Sequence, residues 1–297
     1  MCLDITDIGY EDGKMNAREL RKKRFQLIKD TNRSRRTNEF PPAYPNGWIP
    51  LLESRDLPVG KCIPVTALGQ QFVIFRGKTG KCFVLDAYCP HLGAHLGTDG
   101  KVHEDCIECP FHGWRFAGQD GYCVKIPYAE KKVAKIKSWE TIEENGFIYV
   151  WHHAEGQPPL WKPPVIPEIK NRLMIYKGRS EHILNCHIQV LLMNSAFSTW
   201  FYQFFEVVYN MIPEGQVRVR LIRQYYTSSR FTGIRDYVIC FFESYMLERD
   251  IQIWNYKMYL KNPVYVSKEK AIAKYRKWYS QFYSENSPRV EENNLSW

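Results

Sequence analysis

Between residues 48 and 153 short apolar runs recur at close intervals, each broken by glycine or polar residues. "QQFVIFRG", "KCFVLDAY", "YCVKIPY" and "GFIYVWHH" are rich in β-branched and aromatic side chains and are short for helices. They predict an all-β unit. "GKTGK", between Arg76 and Cys82, has the composition of a hairpin turn. Upstream, "FPPAYPNGWIPLL" punctuates the start of this unit. Downstream, "GQPPLWKPPVIPEI" is too dense in proline for a helix or a central strand, and it reads as a linker or strap.

The period then changes. "GQVRVRLIRQYY" alternates and predicts a strand. "DYVICFFESYMLERDIQIWNYKMYL" has no Gly or Pro and predicts a helix; "KEKAIAKYRKWYSQFYSE" predicts a second, with aromatics among its cations. At the other end, "ARELRKKRFQLIKDTNRSRR" has helical propensity but few apolar residues (Leu20, Phe25, Leu27 and Ile28). It reads as a solvated helix or disordered arm, the alternative being a polybasic segment against an anionic membrane face. The longest uncharged run, residues 190–205, falls short of the roughly 20 apolar residues a membrane span needs, and carries Asn, Ser, Thr and Gln. It reads as buried or interfacial. The expected organisation is a basic arm over 1–40, a β domain over 41–156, a Pro-rich linker over 157–167 and a mixed unit over 168–297. The fold class is α+β.

Composition adds limits. A chain of 297 residues with 44% hydrophobic and 15% aromatic side chains can bury the cores of two domains. A net charge of +9 permits an acidic partner or a membrane surface without choosing between them. No motif beyond the basic arm points to nucleic acid, which is set aside. Most of the nine cysteines are scattered without framework spacing, and "MCLDITDIGYEDGK" lacks the apolar core of a signal peptide. An intracellular, reducing setting is expected.

The chemistry concentrates in "CPHLGAHLGTDGKVHEDCIECPFH". Cys89-x-His91 opens it and Cys109-x-x-His112 closes it. Each pair places a thiolate and an imidazole in a tight loop, and two such loops make a four-ligand site. Zinc would take it as a Cys₂His₂ tetrahedron. A 2Fe-2S cluster of Rieske type would put both cysteines on one iron and both histidines on the other. The surroundings favour the cluster. The loops sit inside a β domain, each cysteine is followed by proline, and glycine follows at "HLGAHLG" and "HGW". Such loops can turn backbone N–H groups toward the sulfurs.

These residues resemble the Rieske domain of ring-hydroxylating oxygenases. Ala94 and Phe111 stand where respiratory-chain Rieske proteins carry extra, disulfide-bonded cysteines. "YPNGWIPLLESRDLPVG", "EHILNCHIQ", "ERDIQIWNYKMYL" and "RKWYSQFYSENSPR" are similar to the cholesterol 7-desaturase (Neverland) family of animal Rieske oxygenases, over most of residues 40–290. The resemblance implies a Rieske β domain followed by a catalytic domain of antiparallel sheet plus helices. It implies electrons from an NAD(P)H-linked reductase, a mononuclear Fe(II) that uses O₂, and a sterol converted to 7-dehydrocholesterol, a step toward steroid hormones. It also implies a homotrimer and association with membranes, for which relatives commonly use an N-terminal helix that is not evident here.

In that family Asp-x-x-His-x-x-x-x-His follows "NCHIQ" shortly and holds the second iron. Here "VLLMNSAFSTW" follows, and no histidine comes after His187. His182 and His187 have the right mutual spacing, but they align ahead of the family's iron site and are expected to be packed or hydrogen-bonded. Asp250 matches the family's third ligand, a carboxylate on a late helix, and is expected to be an orphaned, exposed acid. The chain thus reads as a shortened family member with its cluster ligands complete, its iron histidines missing and a reduced sheet with unpaired edges. Three readings stand: a sterol desaturase, a non-catalytic electron-transfer or regulatory form that keeps only the cluster, and a zinc-stabilised interaction module.

Overall fold

A computed structural model describes residues 40–130, 134–191, 205–228, 234–266 and 269–291, with Lys22 and Gln26 as isolated helical positions. Most of the basic arm and of the uncharged run lies outside the described residues. Two compact units emerge, one over Gly47–Val165 and the other over Ile166–Trp297 with Met1–Asn46.

The first unit is all β. One antiparallel sheet orders β1 (Gly47–Glu53), β10 (Phe147–His152) and β9 (Thr141–Glu144); a second orders β2 (Cys62–Ala67), β3 (Gln70–Arg76) and β4 (Cys82–Asp86). The third is a meander of β5 (Lys101–His103), β6 (Cys106–Glu108), β7 (Arg115–Ala117) and β8 (Cys123–Lys125). Phe72, Val73, Ile74 and Phe75 are all buried, so β3 shows a continuous apolar run and not an alternation, as a strand covered on both faces does. "GKTGK" closes the β3–β4 hairpin. Gly77 N–H donates to Lys81 O and Gly80 N–H to Gly77 O, each at 3.0 Å, and Gly80 takes a φ of +86° that costs glycine little. Thr79 Oγ1 donates to the Asp105 carboxylate at 2.9 Å, tying the hairpin tip to the β5–β6 turn. The Pro-rich stretch is a strap on the β1–β10 sheet. Trp48 Nε1 donates to Trp161 O and Trp151 Nε1 to Gln157 O, each at 2.7 Å.

The second unit combines α1 (Pro167–Lys170), β11 (Ile175–Leu184), α2 (Ile188–Leu191), β12 (Phe205–Gly215), β13 (Arg218–Thr227), α3 (Ile234–Tyr256) and α4 (Lys270–Tyr279). Its sheet is antiparallel in the order β11-β13-β12, so the strand read from "GQVRVRLIRQYY" is central. The two strands flanking it were not foreseen. Leu247, Ile251 and Trp254 form the buried stripe of α3 and share a core with Leu184, Val219 and Leu221. Among the described residues no strand pairs with the outer edge of β11 or β12. Both helices end earlier than the pattern predicts: α3 stops before "KMYL", and α4 gives way to a single 3₁₀ turn over Ser280–Phe282. No described helix is long and apolar enough to cross a membrane.

Candidate metal centre

The third sheet positions the two ligand loops. β6 runs directly into Cys109 and β7 leaves the same loop, while Cys89 follows β4 after a short connection held by Ala87 N–H to Gln71 O. Each loop builds the same backbone ring. Cys89 N–H donates to Ala94 O at 2.9 Å and Gly93 N–H to Cys89 O at 2.9 Å. In the other loop Cys109 N–H donates to Trp114 O at 2.7 Å and Gly113 N–H to Cys109 O at 3.1 Å. The closing residue of each ring is left-handed, with φ +73° at Gly93 and +70° at Gly113, which explains the glycine four places after each cysteine.

These rings put the cysteines inside and the histidines outside. Cys89 and Cys109 are buried in one apolar floor with Val73, Leu96, Ile107 and Phe116. The Cys89 thiol is pushed up to about 11 by burial, against the pull of the His91 N–H, and its hydrogen-bonded neighbour Cys109 adds to the rise. A thiol so placed is held protonated until a cation shares it. Farther out, the His91 and His112 ring centroids lie 4.8 Å apart at 68°. Nδ1 of His112 is buried with no hydrogen-bond partner, as a nitrogen aimed at a metal would be. No three His, Cys, Asp or Glu side chains among the described residues converge on a single ion. Two separated pairs suit a two-iron group better than a Cys₂His₂ zinc tetrahedron. The donor set therefore fits a 2Fe-2S cluster.

One wall of this site escaped the sequence reading. The Trp114 indole stacks on His91, with centroids 4.6 Å apart and planes within 6°. Its Nε1–H donates to Tyr128 Oη at 2.7 Å. The tryptophan directly after "HG" was the available signal, but nothing local announces Tyr128 as its partner.

The second iron's donors are not assembled. Asp250 lies on α3, half-buried and not exposed as expected, and no group of three metal donors forms around it among the described residues. His182 is buried in β11 and its Nδ1 is hydrogen-bonded to Glu248 Oε1. His187 is fully buried, with Nε2 donating to Pro42 O at 3.0 Å and Nδ1 accepting from Gln189 N–H at 3.2 Å. The residues described do not fit a mononuclear iron.

Comparison with known proteins follows this division. The Rieske [2Fe-2S] domain family matches residues 47–140, and the 3-ketosteroid 9alpha-hydroxylase C-terminal domain family matches residues 238–283. A cholesterol 7-desaturase of Hemicentrotus pulcherrimus is 33% identical over 386 residues, covering 99% of this chain and 80% of the relative. Since the chain has 297 residues, that relative carries residues at many aligned positions where this chain has none. A Xenopus laevis cholesterol 7-desaturase is 32% identical, with 92% and 80% covered. The oxygenase component of a Rhodococcus rhodochrous 3-ketosteroid-9-alpha-monooxygenase is 26% identical, with 82% and 85% covered. Among solved structures, Pseudomonas putida CBB5 NdmA with caffeine superposes with a TM-score of 0.66 at 14% identity, covering 89% of this chain and 98% of that one. This last likeness concerns the fold alone.

Proposed function

The chain belongs to the cholesterol 7-desaturase family of Rieske-type oxygenases, and we propose that it takes up electrons for sterol 7-desaturation at a 2Fe-2S cluster held by Cys89, His91, Cys109 and His112. The observation that carries this is the pairing of two buried thiols behind two facing imidazoles. When bound, such a cluster accepts and releases one electron at a time. Cys89 and Cys109 would hold the inner iron as thiolates in an apolar floor. His91 and His112 would hold the outer one, where Leu92 and Phe111 stand exposed beside them. That outer edge is where an NAD(P)H-linked reductase would deliver the electron. A sterol substrate belongs to the same proposal, on the strength of the relatives' names; a part in steroid synthesis and association with a membrane face extend it by the family resemblance alone. So does a homotrimer, in which electrons would pass between subunits.

One observation favours a second reading. No histidine follows His187, and the ring nitrogens of His187 and Nδ1 of His182 are already engaged within the protein. A chain without the second iron would be a cluster-only electron-transfer or regulatory form. We propose that Asp250, the match to the family's third ligand, is orphaned in it.

Reconstitution of the full chain with iron and sulfide, followed by metal analysis and incubation with cholesterol, NADPH and a reductase, tests both readings. Two irons and two labile sulfides per chain, with a Rieske EPR signal on reduction, support the cluster; zinc retained in place of iron rejects it. A third iron with 7-dehydrocholesterol as product establishes the desaturase. A reducible cluster without product establishes the second reading.

A further inference from the structure

The cluster cage described above has a wall that supplies no ligand. Residues Ile126 to Ala129 form a tight turn, closed by the Ala129 N–H to Ile126 O bond at 3.4 Å. This turn lies against the second ligand loop: a Cβ placed on Gly113 would meet Pro127 Cγ at 3.0 Å. From the next position, Tyr128 Oη accepts the Nε1–H of Trp114 at 2.7 Å. Trp114 in turn lies flat on His91, 4.6 Å between centroids and 6° between planes. The indole is therefore fixed at both ends. Its backbone carbonyl holds Cys109 N–H, and its ring nitrogen is tethered to a turn from another part of the unit. His91 belongs to the first loop, so the second loop orients a ligand of the first.

We propose that Trp114, tethered by Tyr128, is a positioning residue that fixes the His91 imidazole and lowers the reduction potential of the cluster. Two physical terms act in the same direction. Reduction adds one negative charge to the cluster and its ligands, and the electron-rich face of an indole opposes negative charge beside it. The same ring keeps water from one face of His91, and a drier surround also disfavours the more charged, reduced form. Tyr128 contributes indirectly: it is 62% exposed, so its packing contribution is small and its hydroxyl is the part that matters.

The inference rests on the reading of Cys89, His91, Cys109 and His112 as cluster ligands. Its test uses the full chain, reconstituted with iron and sulfide, as wild type and as Trp114→Leu, Trp114→Phe and Tyr128→Phe. The readouts are iron and sulfide content, midpoint potential by EPR-monitored titration, and the g-values. Trp114→Leu removes the aromatic face and should raise the potential by about 59 mV, a tenfold change in the ratio of reduced to oxidised protein at fixed solution potential. Trp114→Phe keeps a face and should shift less. Tyr128→Phe should shift the potential in the same direction and broaden the g-values, because the indole loses its tether. Wild-type protein that holds no iron and sulfide overturns the ligand reading, and the inference with it. A loaded wild type with unchanged potentials and g-values in the variants overturns the inference alone. If Trp114→Leu loses its cluster, Trp114→Phe and Tyr128→Phe decide by the same criterion.

Discussion

The two ligand loops close through equivalent glycines, and the same substitution in each should have unequal effects. Gly93 and Gly113 hold φ near +70°, close the same hydrogen-bonded ring and stand four residues after their cysteines. Alanine in this left-handed region costs about 1–2 kcal/mol. Restricting the unfolded chain returns about 0.4–1 kcal/mol. At Gly93 nothing lies within 4 Å of the added Cβ, so Gly93→Ala should lose about 1 kcal/mol from these two terms. At Gly113 the Cβ meets Pro127 Cγ at 3.0 Å, and the pyrrolidine must retreat by a few tenths of an ångström. Crowding of this kind adds roughly 1 kcal/mol at the low end of its range, giving about 2 kcal/mol in total. The retreat also moves Tyr128 relative to Trp114, so Gly113→Ala should disturb the EPR g-values of the loaded protein while Gly93→Ala leaves them nearly unchanged. Urea unfolding of the cluster-free chain, followed by circular dichroism, measures the stability part. Equal losses at the two positions, or a larger loss at Gly93, would refute the reasoning.

Three further outcomes are expected. Burial alone would raise the Glu143 carboxyl, but the two-pronged Arg76 contact at 2.9 Å and neighbouring hydrogen bonds hold it below the ordinary carboxylate range. Its stabilisation is complete above about pH 4.5 and lost as pH falls toward the depressed folded value, so Glu143→Gln should flatten the acid limb of a stability-versus-pH curve. His152 is lowered to about 4 by burial, aided by the charges of Lys137 and His153. The unfolded chain then binds the extra proton between about pH 6.5 and 4. Stability falls over that window as pH drops, by about 3 kcal/mol at most, and an unchanged slope in His152→Gln would refute the assignment. His187→Leu should destabilise the chain by about 1–3 kcal/mol, because the Pro42 carbonyl loses its buried donor. It should leave the iron content untouched; a drop in iron per chain at full folding would restore His187 as a ligand.

What could be read from the sequence divides along a physical line. A metal cage needs particular residue types a few bonds apart, so Cys89, His91, Cys109 and His112 announce themselves within one short stretch. Four strands of the first unit, β3, β4, β8 and β10, are equally plain, and "QQFVIFRG" and "KCFVLDAY" pack apolar side chains on both faces, whereas β1, β2, β9 and the short β5, β6 and β7 were not read. β11 and β12 were missed for the opposite reason. β11 buries Ser180 and His182 with Leu184, and β12 buries Asn210 with Ile212, so polar residues occupy positions where a pattern search expects apolar ones. Their burial is tolerable because distant partners satisfy them. Arg223 Nε donates to Ser180 Oγ at 3.2 Å and its Nη2 to Ser244 Oγ at 3.1 Å, while Tyr225 Oη lies 3.0 Å from Ser180 Oγ. None of these partners is near in sequence, so the compensation is visible only after folding. The Trp114–Tyr128 tether is hidden in the same way.

His182 and His187 show the limit of spacing as evidence. Two imidazoles separated by four residues can reach a common metal in many folds, and the same interval occurs in the iron motif expected of this family. Reach, however, does not establish availability. A ligand nitrogen must be deprotonated and aimed at open space, and neither nitrogen of His187 meets both conditions: Nδ1 is occupied by Gln189 N–H, and Nε2 carries the proton it donates to Pro42 O. Nδ1 of His182 is engaged with Glu248, from a strand that faces α3. Nε2 of His182 and Nδ1 of His112 are both buried without a hydrogen-bond partner, but His112 stands beside a second imidazole, 4.8 Å between centroids, whereas the neighbour of His182 is the Glu248 carboxylate. The difference between a structural histidine and a metal ligand thus lies in which other donors gather near its open nitrogen, and two loops carrying Cys89, His91, Cys109 and His112 gather them in the first unit.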